Sequence, residues 1–576
     1  MRLSHLVFVC LLLLAACEPR KEPPKPPAAD PKAAAPVVAA LCQPRAAAFP
    51  PPSKLADWAQ GAQLFDDLGD FSRKVTTASP EAQRWFDQGM RYVWSFNHDE
   101  ATRAFVKAAQ VDPQCASCYW GAALTMGPNY NVPMLPDRAQ AAWDALEKAK
   151  ELAPKATPVE QALIGALGKR YGGPQPLDPP AMQPFQEAYA KAMSEVAQKF
   201  PADDDVQTLA AESRMNTNPW HLWSLDGKAA PGTREIVAAL EKVLARNPQH
   251  PGANHYYIHA MEASPHPEKA VASAERVGAM MKGAGHLVHM PAHIFQRVGR
   301  YADAAAANRA GAGADLAYMK KVSPQGYYPI YLAHNYDFLA FSAAMQGRSA
   351  EALEAARSTV QAAPPELLDA IPGMDFFVAK IYLVELRFGR WDEMLKEPVP
   401  PEKYAVQTGF YRFAHAYALA AKGQLDEAAK ARGELDTYIG RLPPDLLAGY
   451  SSARDVLTLA LGTLDARIAQ GRGQGAEAIK ALQQAVALED KLAYDEPADW
   501  FFPARHLLGA ALLQAGKAKD AEAVYREDLR RNPENGWSLF GLAQALKAQK
   551  KDAAQVETRL AAAWKEADIQ LSASAI

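Results

Sequence analysis

The sequence predicts an all-α protein, a solenoid of antiparallel helical hairpins behind a processed leader and a proline-rich spacer. Three observations carry that expectation. A frame of 34 residues places small, aromatic and helix-stopping residues at fixed positions, and alanine and other helix formers abound with no strand-like alternation of any length. The first residues are apolar and then proline-rich, unlike the body that follows. Among 576 residues, 62 Lys and Arg oppose 65 Asp and Glu, a formal charge of −3, which argues against nucleic acid as a partner. With 49% hydrophobic and 22% charged residues the body has ample core, so its length reflects a repeat array rather than several unrelated domains.

Residues 1–16 read as a signal peptide. Arg2 precedes an apolar run from Leu6 to Leu14. That run is too short for the roughly 20 residues of a spanning helix but suits a secretory leader. It ends in Leu14-Ala15-Ala16-Cys17, which resembles the bacterial lipobox. The resemblance implies that Cys17 is lipidated and anchors the mature chain to a membrane of the bacterial envelope, facing the periplasm. Glu18, where Asp would retain the protein at the inner membrane, implies the outer one. Residues 17–53 form a Pro/Ala-rich linker with eleven prolines, expected to be an extended spacer. Export to an oxidising compartment leaves Cys42, Cys115 and Cys118 as thiols. A local disulfide between Cys115 and Cys118 is expected, with a redox or metal role as the alternative. Tyr119 follows the pair where c-type haem attachment needs His.

Counting from Ala82, Trp85, Gly89 and Tyr92 fall at positions 4, 8 and 11, and Ala101, Phe105, Ala108 and Pro113 at 20, 24, 27 and 32. Small residues at 8 and 20 let two helices approach, aromatics at 4, 11 and 24 fill the gap between them, and Pro at 32 stops the second helix. The pattern resembles the tetratricopeptide repeat (TPR) at each diagnostic position. The frame recurs at Gly285 (Gly299, Ala304), Ala333 (Gly347, Ala352), Gly409 (Gly423, Ala428) and Phe502 (Gly509, Ala521, Tyr525, Pro533). The expected array runs over 80–565, with a His-rich groove around 251–345. Gly172 to Pro180 and Asn216 to Thr233 read as loops or lids.

Six of the thirteen histidines carry the chemical information. His255 and His259 are spaced i, i+4, and His286, His289 and His293 are spaced i, i+3, i+7, so each set shares one helix face. In the repeat frame they fall at positions 2, 5 and 9 of consecutive first helices, joined by His334 at position 2 of the next. That stripe lies opposite the hairpin-packing stripe. By the TPR resemblance it lines the concave groove. Glu262 and Asp337 are expected as nearby carboxylates. Clustered imidazoles repel when protonated, and a transition metal binds the neutral form. Copper is the first expectation and zinc the second, with iron, nickel or non-covalent haem behind them; oxygen-seeking calcium and magnesium do not suit imidazole. A carboxylate-bearing ligand gripped by the histidines, Arg297 and Tyr256 is the alternative occupant.

His506, at position 5 of its repeat, joins this group only if the superhelix curls back, whereas His415 is off the stripe and His98 reads as structural. The stretch Tyr494 to Pro503 is expected either to wall the groove or to pack a core. Gly127 to Asn131 lacks the lysine of a phosphate cradle, and no G-x-S-x-G nucleophile element is present. The segments Cys118 to Gly121, His255 to His259 and His286 to His293 are similar to those of a His-rich bacterial subfamily of TPR lipoproteins, which brings no activity with it. Two functional classes follow: an envelope-anchored metal-binding protein, with catalysis left open, and a scaffold docking a peptide or protein in its groove.

Overall fold

The computed structural model describes residue 52 and residues 54–322, 327–363, 365–370 and 372–575. The predicted signal peptide, Cys17, Cys42 and the spacer apart from Pro52 lie outside the described residues. Helices follow one another from Pro80–Trp94 to Ala554–Ala563. Among the described residues the only extended pairing is Leu447–Ala448 against Ser451–Ser452 and an isolated bridge between Trp223 and Ala229. No helix among them is long and apolar enough to cross a membrane.

The predicted hairpin at Ala82 is the pair Pro80–Trp94 and His98–Val111. Ser79 Oγ accepts from Ala82 N at 3.2 Å and Pro80 occupies the first turn, while Asn97 caps the second helix through Glu100 N at 3.3 Å. Phe105 explains the glycine at position 8. A Cβ on Gly89 would lie 2.5 Å from its ring, and so would one on Gly121 of the following helix Ala116–Met126. The C-terminal repeat repeats the device: Tyr525 sits between Gly509 and Gly541, whose hypothetical Cβ atoms would lie 2.3 and 2.2 Å from its ring. The predicted turn glycines Gly299, Gly347 and Gly423 all have left-handed backbone, with φ of 80°, 70° and 81°. Cys115 and Cys118 are joined in a disulfide at the start of the Ala116–Met126 helix.

Overlapping apolar clusters run along the whole array without a break, as stacked hairpins require. The superhelix then closes on itself. His98 N donates to Tyr327 Oη at 3.2 Å and Tyr318 Oη to Glu100 at 2.9 Å, bringing Tyr318 and Tyr327 back to the first hairpin. On the other side Trp537 Nε1 donates to Ala344 O at 2.8 Å and Ser349 N to Asp568 at 2.6 Å. The expected open groove is therefore corrected. The inner stripe of the 251–345 repeats is packed interior, because the end of the first helix and the segment around Glu496 lie against it.

Candidate metal centre

Four helices supply the six imidazoles. Pro251–Met261 carries His255 and His259 and is capped by His250, whose Nδ1 accepts from Ala253 N at 3.0 Å. Gly285–His289 and Pro291–Arg297 carry His286, His289 and His293; proline has no N–H to continue the helix, so the segment is broken at Pro291. Pro329–Met345 carries His334. Five of the rings are 3% exposed or less and His334 is half-buried.

The rings form two adjoining triads. Within His255, His259 and His286, and again within His289, His293 and His334, one nitrogen of each ring lies within 4.8 Å of the others. The triads touch through His286 and His289 (ring centroids 5.7 Å apart) and through His259 and His293 (5.8 Å). His293 also forms a third group with Glu262 and Glu496.

On four of the six rings the outward-facing nitrogen is held by a protein acceptor. His255 Nδ1 donates to Trp94 O at 2.6 Å and His289 Nδ1 to Asn308 Oδ1 at 2.7 Å, the Asn308 amide being oriented by its own bond to Ala304 O at 2.9 Å. His259 Nδ1 lies 3.0 Å from Glu262, and His293 Nδ1 lies 2.8 Å from Glu496 and 3.2 Å from Glu262. A carbonyl oxygen accepts only, so neutral His255 and His289 carry their hydrogen on Nδ1 and a lone pair on Nε2. These lone pairs face Nε2 of His286 at 3.1 Å and Nε2 of His293 at 2.9 Å. If His293 donates from Nδ1 to a carboxylate, two lone pairs confront each other across 2.9 Å. His259 Nε2 and His286 Nδ1 are buried with no partner at all. His255, His259, His289 and His293 thus show the outer-shell pattern of metal-binding histidines, the second nitrogen fixed by a carbonyl or carboxylate so that the first points inward.

Burial sets the protonation. It lowers His255 to about 3 and His289 to about 4, and drives His259, His286, His293 and His334 well below the ordinary imidazole value, neighbouring imidazoles adding to the effect for all but His289. The neutral form that binds metal is thus the resident one. Burial also pushes the Glu262 and Glu496 carboxyls well above their usual range, the Glu496 charge raising Glu262 further and Arg297 opposing both.

An aromatic shell closes the cluster. Phe96 packs on His255 at 4.5 Å, Tyr331 on His286 at 4.5 Å and Phe338 on His293 at 5.1 Å. Trp220, from the loop expected as a lid, lies against Tyr130 at 5.4 Å, Tyr450 at 5.3 Å and His259 at 5.8 Å. Phe96 and Trp220 both hold left-handed backbone, φ 54° and 63°. Such backbone costs on the order of 1–3 kcal/mol outside glycine and concentrates at functional sites.

Of the predicted accessory residues only Glu262 hydrogen-bonds to the imidazoles, and Tyr256 packs its ring on His255 at 5.2 Å. Asp337 pairs instead with Lys380 at 3.4 Å. Arg297 is bound to Glu262 O and to Tyr494 Oη, and its guanidinium lies over the Tyr494 ring. Tyr256 donates to Val93 O at 3.3 Å and stacks on Phe96. Neither is free to grip a ligand, which corrects that expectation. The superhelix does curl back, yet what it delivers is Glu496; His506 belongs to a separate buried group with Arg387 and Asp528. Glu496, Asn308 and Trp220 escaped the sequence reasoning. The available signals were an acidic pair, Asp495-Glu496, inside an aromatic stretch, and a lone Asn following an alanine run from Ala304 to Ala307.

The sequence matches no protein-family model and no curated protein. Solved structures it is similar to include the human IFIT1 dimer with m7Gppp-AAAA (12% identity, 79% of this chain and 90% of that one, TM-score 0.31). Others are yeast Tom70 (12%, 84% and 99%, TM-score 0.29) and Naa15/Naa10 bound to HypK (13%, 84% and 70%, TM-score 0.22). At those scores the likeness carries no argument, and the TPR-type fold rests on the hairpins described above.

Proposed function

We propose that this is a transition-metal-binding TPR-type protein of the bacterial envelope, anchored through Cys17, which holds one ion in each histidine triad. The observation that carries this reading is the pair of facing Nε2 atoms whose partners' tautomers are fixed from outside. Ligand nitrogens around a tetrahedral ion with bonds of about 2.0–2.1 Å lie roughly 3.3–3.4 Å apart. The 2.9 and 3.1 Å separations need to open by only a few tenths of an ångström to accept one. His255, His259 and His286 would hold the first ion and His289, His293 and His334 the second, with Glu262 and Glu496 fixing rings and offsetting charge. All-imidazole surroundings suit copper first and zinc second, since the Irving–Williams order peaks at Cu(II). Such an ion would supply Lewis acidity, or one-electron chemistry if it is copper, inside a water-poor shell.

Elemental analysis of protein from its native membrane tests the reading, with about two equivalents of copper or zinc per chain expected. His259→Ala with His289→Ala, which removes one imidazole from each triad, should abolish retention, and His415→Ala should not. Metal-free native protein that takes up neither ion on titration would leave the partner-docking scaffold as the better account. A partner would then have to use the outer faces of the array, since the inner stripe is filled.

A further inference from the structure

A second buried polar group sets an arginine in apolar surroundings with no carboxylate in direct contact, its nearest counter-charge, Asp528, lying one imidazole away. Arg387 ends the helix Phe376–Arg387 and is 7% exposed. Its guanidinium carbon lies 3.6 Å from the ring centre of Trp537 and 4.8 Å from that of Phe502. Nη2 donates to His506 Nδ1 at 2.9 Å, and the opposite nitrogen of that imidazole donates to Asp528 at 3.0 Å. Asp528 also accepts from Asn535 at 2.9 Å and from Ser538 at 2.6 Å on the oxygen that faces His506, and from Asn532 at 3.2 Å on the other. Nε of Arg387 has no partner, and among the described residues no carboxylate is ion-paired with it. The same guanidinium lines an open-mouthed pocket of about 50 Å³, with Leu383, Phe413, Trp500, Phe502 and Leu507 among the other walls.

Buried arginines are ordinarily paired with an anion, and an apolar cavity with one convergent charge is the usual form of a small-molecule site. We propose that this cavity binds a small monocarboxylate, its head on the free edge of Arg387 and an alkyl or aryl body against Leu383, Phe413 and Trp500. The planar guanidinium fork matches a carboxylate in two parallel hydrogen bonds. A dianion such as a phosphate monoester is disfavoured, because the cavity offers one cation and a second buried charge would go unmatched. The His506–Asp528 link holds the fork in place by fixing the acceptor of Nη2, which makes these two positioning residues rather than ligands.

Octanoate is the probe, titrated calorimetrically into the mature full-length chain, with 1-octanol and octyl phosphate alongside. One saturable site is expected for octanoate, at least tenfold tighter than for either comparison compound, and weakening about fourfold for each methylene removed from the chain. Arg387→Met should weaken octanoate at least tenfold. Leu507→Trp, which narrows the cavity and leaves the arginine in place, should do the same. Circular dichroism and melting of each variant separate lost binding from lost structure. Equal binding of octanoate and octanol, unchanged binding in a folded Arg387→Met variant, or no binding of any C4 to C12 monocarboxylate at millimolar concentration would each overturn the proposal.

Discussion

Glu496→Gln is the substitution that tests the metal centre most sharply, because it keeps the side chain's shape and removes its charge. Glu496 accepts from His293 Nδ1 at 2.8 Å and receives the Tyr494 hydroxyl on its other oxygen. Outer-shell carboxylates of this kind are worth roughly 10–100-fold in metal affinity. Glu262 still offers His293 an acceptor at 3.2 Å, which places Glu496→Gln near the lower end, about tenfold or ~1.4 kcal/mol. Glu262→Gln touches both His259 and His293 and belongs near the upper end, about a hundredfold. The two share one ring, so the double variant should cost less than the product of the singles. Competition against a chromophoric zinc chelator at pH 7.5 gives the affinities. The apo-protein should respond in the opposite sense: burial raises the proton affinity of both carboxyls and the Glu496 charge raises that of Glu262 further, so Glu496→Gln should raise the apo melting temperature. If both single variants bound zinc within twofold of the parent at unchanged stoichiometry, the carboxylates would not be orienting the rings and the tautomer argument would fall.

Burial that lowers His255 and His98 to about 3 and His289 to about 4 means the unfolded chain, with imidazoles near 6.5, binds more protons than the folded one. Apo stability should therefore fall as pH drops below about 6.5, by up to ~1.4 kcal/mol per pH unit for each such ring, and urea midpoints between pH 7 and 5 read it; a midpoint that stays flat or rises on acidification would contradict the buried neutral rings. Gly89→Ala should lower the melting temperature, since overpacking against Phe105 costs about 1–3 kcal/mol, whereas Gly313→Ala, on the exposed face of its helix with nothing near, should raise it through the roughly 1 kcal/mol advantage of Ala over Gly. Equal effects at the two sites would show that the inter-helix approach at Gly89 is not tight. Cys17→Ser should release the chain from membranes or block its processing, and a processed Ser variant that still fractionates wholly with membranes would remove the basis for the lipid anchor.

The hairpin frame was legible because it is written in residue sizes at short spacing. Gly89 with Phe105 and Gly509 with Tyr525 state a packing contact within one repeat, and the array merely multiplies it. The six imidazoles were legible for the same reason, since positions 2, 5 and 9 of consecutive first helices lie next to one another in any such array. Closure of the superhelix was not legible. It depends on contacts such as Trp537 with Ala344 and Asp568 with Ser349, separated by 193 and 219 residues, for which no local pattern exists. The accessory residues failed with it: Arg297 and Tyr256 were assigned to an open groove, and in a closed one their polar atoms are taken by backbone carbonyls.

The division of labour at the site follows from that same distinction. The imidazoles come from neighbouring helices and would be brought together by any correctly stacked segment around 251–345. The groups that orient them come from farther away: Trp94 O lies 161 residues before His255, and Glu496 lies 203 residues after His293. Without those partners the rings are free to turn, and the two facing Nε2 pairs lose the tautomers that make them donors to a cation. On the proposed metal-binding reading, affinity would thus be tied to closure of the whole superhelix rather than to the histidine segment alone. An ion that binds the closed arrangement more tightly than the open one must stabilise closure by the same factor, so under that reading the first hairpin, Trp220 and the Tyr494–Glu496 segment would be energetically linked to the metal although none of them supplies an imidazole.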